Sequence, residues 1–348
     1  MGPVAVERAK PDGAERTGMS EVQFLSSEEL DGLATPAEYV DAVQDGYRQR
    51  GEGAPARPRT RLDSDNPRGF LTGYTAILPE SGAMGGYMYA AGFGSNDAHF
   101  ALPLFDAGSG EILAVLDGAS LNPYKTGAAG AVGVDALARA DADTLGIVGS
   151  GSQARGQLLA TATVREFDTV CVFSPTQDSR ESFAASMDDR LEPTVGAVDS
   201  GEAAVRGSDV IITATTASEP VIDSEWLDPG THVTAMGQYN PEKRELDSAT
   251  VAQAAYVPDL RARIHRDAGS YLGALRDGAI DEGHVHAELG DVVAGEAPGR
   301  TTADEITVFD SGGTGIETIA AAKLLYDRAC GEGLGESVTF TPASQAFE

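Results

Sequence analysis

The chain has 348 residues, of which 41% are hydrophobic, and this composition is typical of a globular protein with room for two domains. Its 54 Asp and Glu residues outnumber 25 Lys and Arg residues, so the formal net charge is -29. A surface this acidic repels phosphate backbones and anionic lipids, which argues against nucleic acid or a membrane surface as a partner.

The basic residues are unusual in type as well as few in number. The chain has four lysines, at positions 10, 125, 243 and 323. Few lysines and an excess of carboxylates are typical of proteins from a high-salt cytoplasm, where ions screen the repulsion between like charges. We therefore expect a halophilic protein.

Targeting and cysteine signals are weak. No apolar run approaches the length of a membrane span, and the polar start of the chain lacks the apolar core of a signal peptide. Cys171 and Cys330 are far apart in sequence, which favours two buried free thiols in a reducing compartment over a disulfide. These observations predict a cytoplasmic protein.

The first part of the chain mixes helix and strand signals. Residues 1–22 are predicted to be a disordered leader, and a helix that follows Ser26 and Ser27 is predicted to begin the folded part. Antiparallel strands are predicted over residues 70–77, 87–93 and 112–116. Small residues over 126–140 predict a helix that packs closely on another backbone and bridges two domains.

The second part alternates strands with other segments. Strands are predicted at 144–148, 169–174, 210–214 and 232–236, which is the rhythm of a parallel doubly wound sheet. A last helix over 316–329 is predicted to return to the first domain. The fold class is therefore α/β with a Rossmann dinucleotide-binding domain.

A glycine motif follows the first of these strands. Gly149, Gly151 and Ala154 stand at the places of G-x-G-x-x-A, in which backbone amides approach a pyrophosphate at a helix N-terminus. In a chain with 42 glycines an ordinary turn is the alternative, but a strand before and a helix after favour the cofactor site. Ser152 and Gln153 complete the predicted pyrophosphate-binding set.

The end of the next strand bears on the choice of cofactor. It reads Phe173-Ser174-Pro175-Thr176, where an acid that binds the ribose of NAD would ordinarily stand. Without that carboxylate, Ser174, Thr176 and Arg180 are free to bind a 2′-phosphate. The predicted cofactor is therefore NAD(P), with NADP slightly preferred.

Five motifs together resemble those of the ornithine cyclodeaminase and mu-crystallin family, over about residues 24–335. In chain order they are Lys125-Thr126-Gly127-Ala128-Ala129, the glycine motif with its Gln153-Ala154 ending, Thr213-Ala214-Thr215-Thr216, Pro229-Gly230-Thr231-His232-Val233 and Phe309-Asp310-Ser311-Gly312-Gly313.

The resemblance implies a division into domains and a chemistry. It implies a Rossmann domain over 126–317 and a split α+β substrate-binding and dimerisation domain over 23–125 with 318–348, in a homodimer. Enzymes of that family pass a hydride between the α-carbon of an amino acid and a nicotinamide.

The resemblance also implies roles for single residues. Arg59, in Pro58-Arg59, corresponds to an arginine that holds the substrate carboxylate, and Lys125 stands where the family has a second such arginine. Thr215 and Asp310 are expected near the cofactor, with Asp310 at its nicotinamide end.

Two positions depart from the family pattern. The family's lysine in Gly-x-Lys falls on Met88, and its aspartate in Gly-x-Asp-x-Pro falls on Tyr239. That aspartate handles the side-chain amine of ornithine in the cyclodeaminase, so a cyclising diamine reaction loses its expected base here. Tyr239 or Tyr87 is the candidate replacement as an acid, with packed aromatic rings as the alternative for both.

No metal site is predicted. His284 and His286 alternate near acidic residues, but their spacing matches no usual ligand set, so solvated surface histidines are the better interpretation.

Three functional hypotheses follow. The first is NAD(P)-dependent oxidoreduction of a small α-amino acid or imino acid, of the alanine dehydrogenase or imine reductase type. The second is ornithine cyclodeamination to proline and ammonia, and the third is a crystallin-like protein that binds NADP(H) without turnover.

The net charge generates a prediction about salt. Below about 1 M salt the carboxylates should repel one another and destabilise the fold, because the Debye length shortens to about 3 Å only at that concentration. Melting curves over a KCl series are expected to rise with salt. A melting temperature that is independent of salt would contradict the prediction.

Overall fold

The computed structural model describes residues 20–94 and 97–345. Within them the strands are β1 (Ser20–Leu25), β2 (Ala56–Asp65), β3 (Arg68–Leu78), β4 (Ala83–Ala91), β5 (Phe100–Asp106), β6 (Ile112–Asp117), β7 (Thr144–Val148), β8 (Thr169–Phe173), β9 (Thr194–Ala197), β10 (Val210–Thr213), β11 (His232–Ala235), β12 (Ala255–Pro258), β13 (Thr307–Asp310) and β14 (Glu336–Phe340).

The same residues form helices of 4 to 18 residues. They are α1 (Ser27–Leu30), α2 (Pro36–Gly51), α3 (Leu121–Leu137), α4 (Ser152–Thr161), α5 (Gln177–Asp188), α6 (Gly201–Val205), α7 (Ser248–Gln253), α8 (Gly269–Arg276), α9 (Leu289–Val293) and α10 (Gly315–Glu332). None of them is long and apolar enough to cross a bilayer.

The start of the chain differs from the prediction. Residues 1–19 of the predicted leader lie outside the described residues, but residues 20–22 belong to β1, which pairs with both β14 and β6. A strand rather than a helix therefore begins the described fold. The strand was missed because its partners lie far away in sequence.

The first sheet has the order β14-β1-β6-β5-β4-β3-β2. It is antiparallel except where β1 runs parallel to β6. One of its faces packs on α2 and α10, so the predicted return of the last helix to the first part of the chain is confirmed.

The second sheet has the order β12-β13-β11-β10-β7-β8-β9, with every pairing parallel. Chain order reverses between β7 and β10, and loops at the carboxyl ends of two such strands diverge there to leave a crevice. The predicted doubly wound sheet is confirmed. The crevice opens toward the first sheet.

Helix α3 joins the two layers. It contacts α2 and α10 on one side and α4, β11 and β13 on the other. A Cβ on Gly127 would lie 2.2 Å from the Gly156 carbonyl oxygen, and one on Gly156 would lie 2.3 Å from that of Pro123. The predicted close packing of this helix on another backbone is confirmed, and α3 begins at Leu121, before the predicted start.

The cysteines are free, as predicted, but the prediction that both are buried was wrong. Cys171 is half-buried on β8 and Cys330 is exposed on α10. Burial raises the pKa of the Cys171 thiol, which disfavours the reactive thiolate.

Candidate active site

A cavity of about 440 Å³ lies where the crevice of the second sheet meets the first sheet. Its walls come from strands β2 to β5, the first turn of α3 and the loops that follow β7, β10, β11 and β13. The predicted site residues that line it are Arg59, Lys125, Gly151, Ser152, Gln153, Thr215 and Tyr239. The cavity therefore brings the predicted substrate and cofactor residues together.

The glycine loop has the geometry of a pyrophosphate site. Gly149 has φ 127°, and a Cβ there would lie 2.4 Å from the Ala214 carbonyl oxygen, so a side chain is excluded. Gly151 caps α4 without a side-chain hydrogen bond, and apart from its chain neighbours no atom of the described residues lies within 4 Å of the place of its Cβ. Uncapped helix amides beside open space fit an anionic pyrophosphate. Ala154 is buried, so its contribution to the site is limited to the backbone.

Ser174 and Thr176 lie beside the glycine loop rather than in the cavity. Ser174 accepts a hydrogen bond of 2.9 Å from the Ser150 hydroxyl, while Thr176 is exposed. Arg180 donates to the Ser174 carbonyl oxygen and to the exposed carboxylate of Asp199. The end of β8 thus presents hydroxyls and a guanidinium, with no acid at the ribose position.

Thr215 is held by a buried carboxylate that the sequence analysis missed. Glu245 accepts hydrogen bonds from the backbone amides of Thr215 and Gly237, at 2.7 Å each, and from the hydroxyls of Thr213 and Thr215. Burial raises its pKa, and the four donors oppose that shift. Glu245 therefore ties together the loops after β10 and β11, which both line the cavity.

Asp310 does not line the cavity. Its carboxylate accepts from Arg263 at 2.5 Å and from the Tyr256 hydroxyl at 2.5 Å, and burial raises its pKa. Arg263 is 1% exposed and also donates to Asp259 and Asp267. The proposed approach of Asp310 to the nicotinamide has no support from this geometry, because its oxygens are engaged in this buried cluster.

The buried cluster positions the turn that accepts a hydrogen bond from Arg59. Asp259 accepts from the amides of Gly312 and Gly313 and from the Ser311 hydroxyl. A Cβ on Gly312 would lie 2.9 Å from Arg263 Cζ, so glycine is required beside the buried guanidinium. The Gly312 carbonyl oxygen then accepts from Arg59 Nη2 at 2.5 Å.

Arg59 is buried in the cavity wall. Besides the bond to Gly312 it donates to the Tyr89 hydroxyl at 2.6 Å, its Nε lies 3.9 Å from Asp267, and Nε has no hydrogen-bond acceptor among the described residues. Its guanidinium stacks over the ring of Tyr239 at 4.0 Å. A buried guanidinium in a cavity wall is suited to attract a carboxylate.

Lys125 is the second cation of the cavity. It stands in the first turn of α3 and is 2% exposed, with Nζ 3.6 Å from Glu317 and 3.4 Å from the Thr126 hydroxyl. The rings of Tyr74 and Tyr87 lie 5.9 Å and 5.4 Å from Nζ.

Met88 is excluded as a replacement for the family lysine. On β4 its side chain is 53% exposed and faces the outer side of the sheet, whereas Tyr87 and Tyr89 are buried and line the cavity. Successive side chains of a strand point to opposite faces, so the position aligned with the lysine does not reach the cavity. Aromatic rings occupy that wall instead.

His284 and His286 lie apart from the cavity. Their Nε2 atoms hydrogen-bond the carbonyl oxygens of Val251 and Pro298, and both rings are half-buried, so the prediction of solvated side chains was only partly right. Within residues 20–94 and 97–345 no group of three or more His, Cys, Asp or Glu is arranged to hold a metal ion.

Comparison with known proteins identifies the family. Residues 21–333 match the model of the ornithine cyclodeaminase/mu-crystallin family. The chain belongs to this family. It is 35% identical over 238 residues to a Delta(1)-pyrroline-2-carboxylate reductase of Bacillus cereus, and this match covers 68% of this chain and 73% of that protein.

Two solved structures are similar over nearly their whole length. The Delta(1)-pyrroline-2-carboxylate reductase of Thermococcus litoralis, in complex with NADH and L-proline, has a TM-score of 0.86 at 33% identity, covering 91% of this chain and 100% of that one. An archaeal alanine dehydrogenase dimer with bound NAD has a TM-score of 0.86 at 30% identity, and the match covers 92% of this chain and 100% of that one. The predicted family and Rossmann fold are confirmed.

The geometry of Arg59 generates a prediction. Arg59→Ala should raise the KM for the carboxylate substrate about 10- to 100-fold, as expected for loss of a charge-assisted hydrogen bond of roughly 1.5–3 kcal/mol. Steady-state kinetics check this, with Arg57→Ala, an exposed change on the same strand, as control. An unchanged KM in a folded Arg59→Ala variant would remove Arg59 from the site.

Proposed function

We propose that this chain uses a reduced nicotinamide dinucleotide to reduce a small cyclic α-imino acid to the amino acid. The broader statement, nicotinamide-dependent oxidoreduction of amino acids or their imines, is supported by its relatives, which are reductases and dehydrogenases of this kind. The observation that carries the narrower statement is the lining of the cavity, where two cations stand among aromatic rings.

The cations select the acid group of the substrate. Arg59 and Lys125 are both buried in the cavity wall, so their charges act in a medium of low dielectric and attract an α-carboxylate strongly. Together they give one end of the cavity a preference for anions. An imino acid bound there has its carboxylate fixed, with its C=N carbon directed along the cavity.

The aromatic wall selects the rest of the substrate. Tyr87 stacks on Tyr74 at 5.4 Å and on Phe100 at 5.0 Å, and Tyr89 packs on Phe100 at 4.9 Å. Flat rings of this kind fit an apolar cyclic substrate. Of the described residues that line the cavity, none is Asp or Glu, so the charged side-chain amine of a diamine has no counter-ion there.

The cofactor would lie along the glycine loop. When bound, reduced nicotinamide supplies the hydride. The amides at the start of α4 would hold the pyrophosphate, and Ser152, Gln153 and Thr215 line the cavity between that place and the cations. The proposed cofactor set is thus Gly149, Gly151, Ser152, Gln153 and Thr215, with Ala154 in a packing role.

NADP is the preferred cofactor in this proposal. Ser174 and Thr176 carry hydroxyls at the end of β8, Arg180 adds a guanidinium, and residues 173–176 include no acid at the position where one would bind the ribose of NAD. The engagement of Arg180 by Asp199 limits the preference, because that carboxylate competes with a phosphate.

The other candidate functions have less support. Ornithine cyclodeamination lacks the aspartate replaced by Tyr239, whose ring is occupied in stacking on Arg59. A binding protein without turnover would not account for the two buried cations in the cavity wall, Arg59 and Lys125. Alanine dehydrogenation remains the nearest alternative, because it uses the same carboxylate and hydride geometry.

The substrate is tested by nicotinamide absorbance at 340 nm in high salt. We expect oxidation of NADPH with Delta(1)-pyrroline-2-carboxylate or its six-membered analogue, at a higher kcat/KM than with pyruvate plus ammonium, and a lower KM for NADPH than for NADH. Ammonia release from ornithine without net cofactor change would instead indicate a cyclodeaminase. Preference for pyruvate plus ammonium would indicate an alanine dehydrogenase.

The protein is further proposed to be a cytoplasmic homodimer that pairs through the outer face of its first sheet. That face carries a hollow of about 770 Å³ and four exposed apolar side chains, each 37 to 64% exposed: Leu62, Leu71, Ile77 and Met88. A contiguous apolar patch of this kind marks an interface. The split into residues 23–125 with 318–348 and 126–317 is supported by the two separate sheets.

Charge on this face is expected to separate the protomers. Leu62→Glu with Met88→Glu would place four like charges across the interface, and sedimentation in high salt should shift from the mass of a dimer to that of a monomer. Asp189→Lys, an exposed change after α5, should leave the mass unaltered. A dimer that persists in the double variant would exclude this face.

A further inference from the structure

Lys125 and Glu317 form a buried ion pair at the edge of the cavity. Binding a substrate carboxylate uses the charge of Lys125 but not its ability to transfer a proton. Lys125 is 2% and Glu317 is 1% exposed, and Nζ lies 3.6 Å from Glu317 Oε1. Lys125 lines the cavity whereas Glu317 stands behind it. The pair thus presents an ammonium to the substrate and a carboxylate to the protein.

The identity of the cation matters. Arginine stands at this position in the family pattern, and a guanidinium keeps its protons under all ordinary conditions. A lysine ammonium has a pKa that burial shifts readily, so it can give up a proton to a bound molecule. Replacement of arginine by lysine keeps the charge and adds a transferable proton.

The surroundings of Nζ favour release of that proton. Burial lowers the pKa of Lys125 below its ordinary 10.5, Glu317 opposes the shift, and Arg59 adds to it. The charged or titratable groups that face Nζ are Glu317 from α10, Arg59 from β2, Tyr74 from β3, Tyr87 from β4 and Asp259 after β12.

The tyrosines of the wall are poorer donors. Burial raises the pKa of Tyr74, Tyr87 and Tyr89 above the ordinary value of 10, so their hydroxyls hold their protons more firmly. Tyr89 is in addition engaged as the acceptor of the Arg59 hydrogen bond.

We propose that Lys125 donates the proton to the imine nitrogen during reduction, and that Glu317 is the positioning residue that keeps Lys125 as an ammonium between turnovers. This inference rests on the proposed imine reduction. A bound reduced nicotinamide would supply the hydride for the new C–H bond and would leave as the oxidised cofactor; the C=N π pair moves to nitrogen, and nitrogen gains its proton as an Nζ–H bond of Lys125 breaks. Lys125 is left neutral and regains a proton from solvent.

The hydrogen bonds of Glu317 permit a clean test. Its carboxylate accepts from the amide and the hydroxyl of Thr314 in a capping box at the start of α10. Glutamine serves equally in such a box, so Glu317→Gln removes the charge while the helix cap is kept. Lys125→Arg likewise keeps the cation and removes the transferable proton.

Steady-state values of kcat and KM separate two roles of Lys125, binding the substrate carboxylate and donating the proton. Lys125→Arg should lower kcat about 10²- to 10⁴-fold, as expected for loss of a general acid, with KM for the imino acid nearly unchanged. Lys323→Arg, at a half-buried position on α10 where the lysine pairs with Asp327, is the matched control and should leave both constants unaltered. A Lys125→Arg enzyme with wild-type kcat would overturn the inference.

The dependence of kcat on pH tests the direction of the pKa shift of Lys125. A proton donor must be protonated, so kcat of the wild type should fall as pH rises through the lowered pKa of Lys125, below pH 10.5. Glu317→Gln removes the charge that opposes the lowering, so the fall should move to lower pH. Identical profiles in the two proteins would count against a role for Glu317.

The pKa of Lys125 can also be measured directly by NMR, without turnover of a substrate. With four lysines in the chain, ¹³Cε-lysine NMR in high salt should resolve Lys125, assigned by its absence in Lys125→Arg. Its resonance should titrate below pH 10.5, and lower still in Glu317→Gln; titration at or above 10.5 would overturn the inference. If the wild type reduces no imino acid, the proposed function and the inference fail together, whereas wild-type turnover with an active Lys125→Arg overturns the inference alone.

Discussion

The close approach of α3 and α4 is the constraint on which the site depends. Their backbones meet at Gly127 and Gly156, where even one methyl group would lie within about 2.3 Å of a carbonyl carbon or oxygen atom of the other segment. Because Lys125 lies near the start of α3 and the glycine loop precedes α4, this contact brings Lys125 and the glycine loop to one cavity. A substrate at Lys125 and a cofactor at the glycine loop, as proposed, would meet there because Gly127 and Gly156 have no side chains.

A second level of support comes from buried charge. Arg263 is held by three carboxylates, and one of them, Asp259, holds the Gly312–Gly313 turn that in turn accepts from Arg59. Buried ion pairs stabilise little on balance, because desolvation offsets their attraction, but removing one partner leaves an uncompensated charge. Such a cluster is suited to fix the geometry of a turn, and Glu245 does the same for the loops after β10 and β11.

Charge in this protein is divided between surface and interior. The net charge of -29 would repel an anionic substrate and a dinucleotide from the exterior. At molar salt that repulsion extends about 3 Å, whereas buried cations are screened far less. In the proposed function, Arg59 and Lys125 would therefore keep their attraction for a carboxylate when salt suppresses the surface field, so high salt and anion binding would be compatible.

The sequence by itself determined what depends on neighbours along the chain. A strand, a glycine turn and a helix in succession predicted the Rossmann sheet and its pyrophosphate loop, and the motifs around Arg59 and Lys125 predicted the cations of the cavity. Tertiary structure alone decided which residues meet across long separations: β1 with β14, Lys125 with Glu317, and Glu245 with the loop at Thr215. It also decided the face of each strand, so that Tyr87 lines the cavity and Met88 does not. Motif alignment carries no information about register, and one residue of register moves a side chain to the opposite face.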